Sequence, residues 1–138
     1  MLAKTKLTER LSELEAQQEQ CRSVESDLPE NLFEGTDLSV DIVRNALLYR
    51  YFSHQQDCIR EALGNYYIAL ASVAIFYPGE VSLQTGDFNF VNRRTLLESQ
   101  AAYESLPAEK KASVDKLTAL DKPFTMESAV KLLENYSQ

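Results

Sequence analysis

Apolar residues fall on helical stripes along most of this chain. From about residue 3 to 28, Leu7, Leu11, Leu14, Gln18, Cys21, Glu25 and Leu28 follow one another at alternating steps of four and three, the spacing of a heptad seam. Gln18 and Glu25 interrupt the seam with polar side chains, so the pattern predicts a helix laid on one side of a bundle rather than a long two-stranded coiled coil. Its flanks are Glu, Gln, Lys and Arg, all good helix formers. Pro29 marks its end, because the residue before a proline avoids the helical region.

Residues 29–37, PENLFEGTD, read as a connection, with Leu32 and Phe33 tucked under the end of the bundle and Thr36 or Asp37 as the N-cap of the next helix. A second stripe then runs Leu38, Ile42, Asn45, Tyr49, Phe52, Gln56, Ile59, Leu63, Tyr66, Leu70, Val73, Tyr77. It keeps its phase across Gly64, which predicts one helix over residues 38–77, about 60 Å long at about 1.5 Å per residue. The opposite face carries Leu47, Tyr51, Cys58, Ala62, Ala69 and Phe76. A helix apolar on both sides needs cover on both sides, so this is the expected central helix. Its stretch YYIALASVAIFY reads as the all-round buried end. The stretch is shorter than the roughly 20 residues that cross a bilayer, and Arg60, Glu61 and Asn65 precede it.

Beyond Pro78-Gly79, three shorter helices are predicted. One spans about 88–105 with Asp87 as cap and Phe90, Leu97 and Ala101 on its stripe, beside Leu96 and Tyr103. One spans about 107–121 with Val114, Leu117 and Leu120. The last follows Thr125 to about Tyr136 with Met126, Ala129, Val130, Leu133 and Tyr136 facing inward. The expected fold is therefore all-α: a single irregular helical bundle of five helices in one domain, residues 1–138. The 88–138 helices are expected to cover the C-terminal half of the central helix, and the N-terminal helix to cover its other half, with Leu7, Leu11 and Leu14 on Tyr49, Phe52 and Ile59 or on a second copy.

Composition is that of an ordinary globular chain, 44% hydrophobic and 25% charged. The net charge of −7 is uneven: residues 1–37 carry Lys4, Lys6, Arg10 and Arg22 against nine acids. No basic patch of the kind that neutralises phosphates is present in this pattern, so nucleic acid is not an expected partner. The first twenty residues lack the apolar stretch of a signal peptide, and the chain as it stands reads as cytoplasmic. A periplasmic or secreted protein without its leader would look the same.

Cys21 and Cys58 are the only cysteines. In an antiparallel hairpin closed through residues 29–37, Cys21 meets the region of Asn45, and Cys58 lies about 20 Å further on, beyond the reach of a disulfide. Free thiols are the expectation. His54, with Asp57 and Cys58 at helical spacing, lacks the further ligands a zinc or di-iron site requires, so the reading is a half-exposed histidine paired with Asp57. No nucleophile elbow and no glycine-rich phosphate loop occurs. No catalytic, cofactor-binding or metal-binding residue is assigned.

Binding is what remains: a non-enzymatic, acidic helical adaptor, regulator or inhibitor acting through a protein partner or self-association. Leu7, Leu11, Leu14, Gln18 and Glu25 of the N-terminal helix are its candidate contact residues. Two alternatives stand beside it. One is an exported helical protein that neutralises a toxin or belongs to an envelope assembly. The other is a small-ligand bundle whose Tyr-lined polar seam includes Asn45, Tyr49, Arg50, Gln56 and Tyr66.

Overall fold

The computed structural model describes residues 2–77 and 92–138. The described chain is all-α, with α1 Leu2–Ser23, α2 Val40–Phe76, α3 Arg93–Glu104, α4 Ala108–Asp115, a 3-10 turn Thr118–Asp121 and α5 Met126–Tyr136. The long central helix is present and passes through Gly64 without a break.

The chain divides into two compact units. The described residues of the first are 2–23 and 56–77, and those of the second are 24–55 and 92–138. The expected covering of α2 is thus reversed: α1 belongs with the C-terminal half of α2, and the later helices belong with its N-terminal half. The cause is local. Helix α1 stops at Ser23 instead of running to Leu28, leaving a connection of residues 24–39 rather than 29–37. Ser26 and Asp27, whose short polar side chains compete for backbone hydrogen bonds, and Leu28 ahead of Pro29 all disfavour helix there.

In the second unit this connection is held by the segment before α5. Ser26 and Phe124 form a parallel bridge, in which Ser26 N–H donates to Pro123 O at 3.2 Å and Thr125 N–H to Ser26 O at 3.1 Å. Thr125 Oγ1 donates to Asp27 at 2.7 Å, and Leu28 N–H donates to Ser128 Oγ at 3.0 Å. The chain then turns through Gly35, whose φ of +82° suits glycine and strains other residues. Thr36 N–H closes the turn on Phe33 O at 3.1 Å. Phe33 is buried beneath it, with its ring edge-on to Tyr136, and the Tyr136 hydroxyl donates to the carbonyl of Leu38. The core joins Leu28, Phe33, Leu38, Val43, Ala46 and Leu47 to Val114, Leu120, Phe124, Ala129 and Leu132.

Helix caps follow side-chain chemistry, though not always at the expected residue. Thr125 caps α5 as expected, accepting from Ser128 N. Helix α2 is capped by Ser39, whose Oγ accepts from Ile42 N–H at 3.3 Å; the Thr36 hydroxyl is committed to Phe33 O at 2.6 Å. Asn92 caps α3 through Thr95 N, while the expected cap Asp87 and stripe residue Phe90 lie outside the described residues. The expected helix over 107–121 is split, its second part tightening into three-residue turns that line up Val114, Leu117 and Leu120.

Two stripes are rotated from expectation. Leu97 is 64% exposed and Val130 46% exposed, whereas Ser99 and Ser128 are buried. Each buried serine returns its hydroxyl to a carbonyl of its own chain, Ser99 to Thr95 O at 2.7 Å and Ser128 to Thr125 O at 2.9 Å. A serine satisfied this way sits inside at little cost.

Two substitutions test this picture by chemical denaturation followed by circular dichroism. A Cβ added at Gly64 meets nothing within 4 Å, so Gly64→Ala should raise stability, by up to about 1 kcal/mol. Phe124 is 1% exposed and packs on Tyr51 and His54, so Phe124→Ala should lower it by about 3–5 kcal/mol.

Candidate functional site

The first unit is an antiparallel pairing of α1 with residues 56–77 of α2, fastened at one end and open at the other. At the fastened end Cys21 and Cys58 form a disulfide with Cα atoms 6.1 Å apart. The free thiols expected from the nine-residue connection are therefore corrected: the longer 24–39 connection brings Cys21 level with Cys58 instead of Asn45. Gln17 sits beside the bond, its Nε2 donating to Cys58 O at 3.1 Å and lying 3.8 Å from each sulfur. A groove of about 260 Å³ opens next to it, lined by Glu13, Gln17, Cys58, Glu61, Ala62 and Asn65.

Between the helices, Leu14 is fully buried on α1, and Ile59, Leu63, Tyr66, Ala69, Leu70 and Val73 are buried on α2. Ile59, Leu63, Tyr66, Leu70 and Val73 are the stripe the periodicity predicts; Ala69, expected on the opposite face, is buried with them. Burial, and secondarily the neighbouring Tyr67, raises the Tyr66 hydroxyl above the usual tyrosine range. Leu7, Leu11 and Gln18 are partly buried on the same face of α1. Glu25 lies beyond the end of the helix and belongs to the second unit, so it does not extend the seam.

The other face of residues 65–77 is not covered by the described chain. Ile68 is 69%, Ile75 74% and Phe76 71% exposed, so the stretch expected to be buried all round is buried on one side. At this open end a groove of about 490 Å³ runs between the helices. Leu2, Ala3, Lys6 and Arg10 form one bank, and Asn65, Ile68, Ala69, Ser72, Phe76 and Tyr77 form the other. Leu2 is 79% exposed, and the Lys4 ammonium stands 5.5 Å from the centre of the Tyr77 ring.

The residues of the expected polar seam are shared between the two units. Asn45, Tyr49 and Arg50 belong to the second unit, Gln56 and Tyr66 to the first. Arg50 is a clamp: its guanidinium meets Asp115 at 2.8 Å and Asp121 at 3.4 Å and lies over the rings of Tyr49 and Tyr103. Tyr49 and Tyr103 stack with centroids 5.2 Å apart, and the Tyr103 hydroxyl donates to Asp115. Burial first, then that carboxylate, raises the Tyr103 hydroxyl above its ordinary range.

His54 is paired differently from expectation. Its Nε2 lies 2.7 Å from Leu120 O, so that nitrogen carries the hydrogen, since a carbonyl only accepts. Asp57 turns to Arg60 instead. No helix among the described residues is long and apolar enough to cross a membrane. Comparisons with protein-family models, with curated proteins and with solved structures found no match.

The disulfide closes a loop between positions 37 apart in sequence, for which chain entropy gives a stabilisation of about 4 kcal/mol. Reduction by excess dithiothreitol should therefore accelerate amide exchange throughout α1. Protection in residues 24–55 and 92–138 should hold. Exchange in α1 that ignores the reductant would show that packing alone fixes the helix.

Proposed function

We propose that this protein is a non-enzymatic protein-interaction module that works in an oxidising compartment. The observation that carries the first part is the open end of the first unit, where Leu2, Ile68, Ile75 and Phe76 stand exposed together. Keeping large apolar side chains in water is unfavourable by about 25 cal/mol per Å², so a surface of this kind is best accounted for by a partner that covers it. The contact surface is then other than the seam of α1, whose Leu14 is buried: it combines the first turns of α1 with the uncharged end of α2. The groups most suited to catalysis are engaged elsewhere. The single histidine holds the Leu120 carbonyl, and both cysteines are bonded. The small-ligand reading has less support, because its residues are divided between two units and Arg50 is taken up by two aspartates.

The second part rests on the Cys21–Cys58 disulfide. Such bonds persist outside reducing compartments, which favours an exported protein, periplasmic or secreted, over a cytoplasmic one.

Two measurements test the two parts separately. Alkylation of the protein in its native cells, before any reductant, should label neither cysteine, and full labelling of both would return the protein to a reducing compartment. Affinity capture from native extract should retain a stoichiometric partner that an Ile68→Glu/Phe76→Glu variant loses without change in its melting curve. A partner retained equally by both forms would move the contact away from this end.

A further inference from the structure

The open groove has a shape and a charge that narrow what it takes, and the following deepens the interaction reading, on which it rests. On α2 its bank is Asn65, Ile68, Ala69, Ser72 and Phe76, steps of one, three and four residues over about 16 Å of helix. On α1 the bank is Leu2, Ala3, Lys6 and Arg10, again at helical spacing. The groove therefore runs along the two helix axes for about three turns. Ala3, Ala69 and Ser72 keep part of its lining shallow, while Ile68 and Phe76 stand up beside it. Small residues along a helical groove let another helix come close, and bulky apolar neighbours grip its anchors.

Charge is the second element. Residues 65–77 carry no charged side chain, and residues 2–10 carry Lys4, Lys6 and Arg10 against Glu9 alone. Among the described residues this end is locally positive, in a chain whose net charge is −7. The two cations of the groove have intrahelical partners, Lys6 with Glu9 at 3.3 Å and Arg10 with Glu13 at 2.8 Å. Exposed pairs of this sort contribute little, about 0.2–1 kcal/mol, and are readily traded for a partner's carboxylate in a water-poor contact.

We propose that the groove between residues 2–10 and 65–77 receives an amphipathic helix of a partner protein, its apolar stripe laid between Ile68 and Phe76 and its flanking Glu or Asp side chains on Lys6 and Arg10. A concave channel with cations on one bank suits a cylinder with carboxylates along one side. A bilayer is flat and would leave the channel's interior unfilled.

The test uses two synthetic amphipathic peptides of about four helical turns, with identical Leu stripes and flanks of either Glu or Lys, titrated against the full chain by fluorescence anisotropy. The Glu-flanked peptide should bind about tenfold tighter than the Lys-flanked one at about 0.05 M salt, the gap closing near about 0.5 M. A Lys6→Glu/Arg10→Glu variant should reverse that preference, and Ile68→Glu should weaken both peptides. Because all three positions are solvent-facing, circular dichroism should show each variant folded. Equal affinity for the two peptides, or a preference for Lys flanks, overturns the proposal. So does binding of neither below about 1 mM. Binding instead to vesicles of phosphatidylcholine with phosphatidylglycerol would assign the end to a membrane surface. A dimer in light scattering that Ile68→Glu dissolves would assign it to a second copy. If both peptides fail while the captured partner still depends on Ile68 and Phe76, the interaction module stands and only the acidic helix falls.

Discussion

A short non-helical stretch, residues 24–28, with Ser26 in a β-bridge, organises the second unit. Its backbone pairs with residues 123–125 through Ser26, and its side chains and N–H groups reach the first turn of α5 through Asp27 and Leu28. The pairing carries Phe124 inward, where the ring meets Tyr51 and His54 of α2. It also delivers Leu28 and Phe33 to the core shared with Val114, Leu120 and Leu132. The Ser26 N–H and carbonyl and the Leu28 N–H, beside the core, are thereby satisfied, as burial requires. Arg50 and His54 of α2 then have a mechanical role: Arg50 gathers Asp115 and Asp121, and His54 takes the Leu120 carbonyl, so charged and hydrogen-bonded groups locate the 3-10 turn that apolar contacts alone would leave free to slide.

The first unit solves a different problem. Helix α1 has a single fully buried residue, Leu14, and the rest of its inner face is only partly covered. Isolated helices are marginal in water, and their stability in proteins comes from tertiary packing. With so little burial, the covalent bond at Cys21 has a large share in holding α1 against α2. That makes the first unit sensitive to redox conditions in a way the second, with its continuous core, is not.

Much of this was legible in the sequence. The two heptad-like stripes located α1 and α2 and named Ile59, Leu63, Tyr66, Leu70 and Val73 as buried, because a helix repeats its faces whatever it packs against; in the first half of α2 they missed Val43 and Ala46 and put Leu47 on the other face. Thr125 was legible as a cap for the same reason: a hydroxyl ahead of an apolar run accepts the orphan N–H groups. Periodicity does not say which half of a long helix meets which neighbour. That choice turned on where α1 ends, and the heptad spacing continued through Glu25 and Leu28 although the backbone had already left the helix. The disulfide was misjudged as a direct consequence: a connection over 24–39 does not close the tight hairpin that 29–37 implied, so Cys21 meets Cys58, about 20 Å along α2 from Asn45. Ser99 and Ser128 were missed because an apolar count does not register a serine whose hydroxyl is satisfied by its own helix. The exposed Ile68, Ile75 and Phe76 look identical in sequence to core residues, and hydrophobicity alone does not separate a core from a contact surface.

The disulfide and the open groove are linked by the geometry of the first unit. Cys21 lies near the C-terminal end of α1 and Leu2 at the other, about 28 Å apart along the helix. Fastening one end sets the register and spacing of the pair, while leaving the far end with its banks apart. A groove held this way loses less entropy on binding than one formed between two loosely associated helices, since the ordering is already done. Reduction would then loosen the groove without touching any residue that lines it.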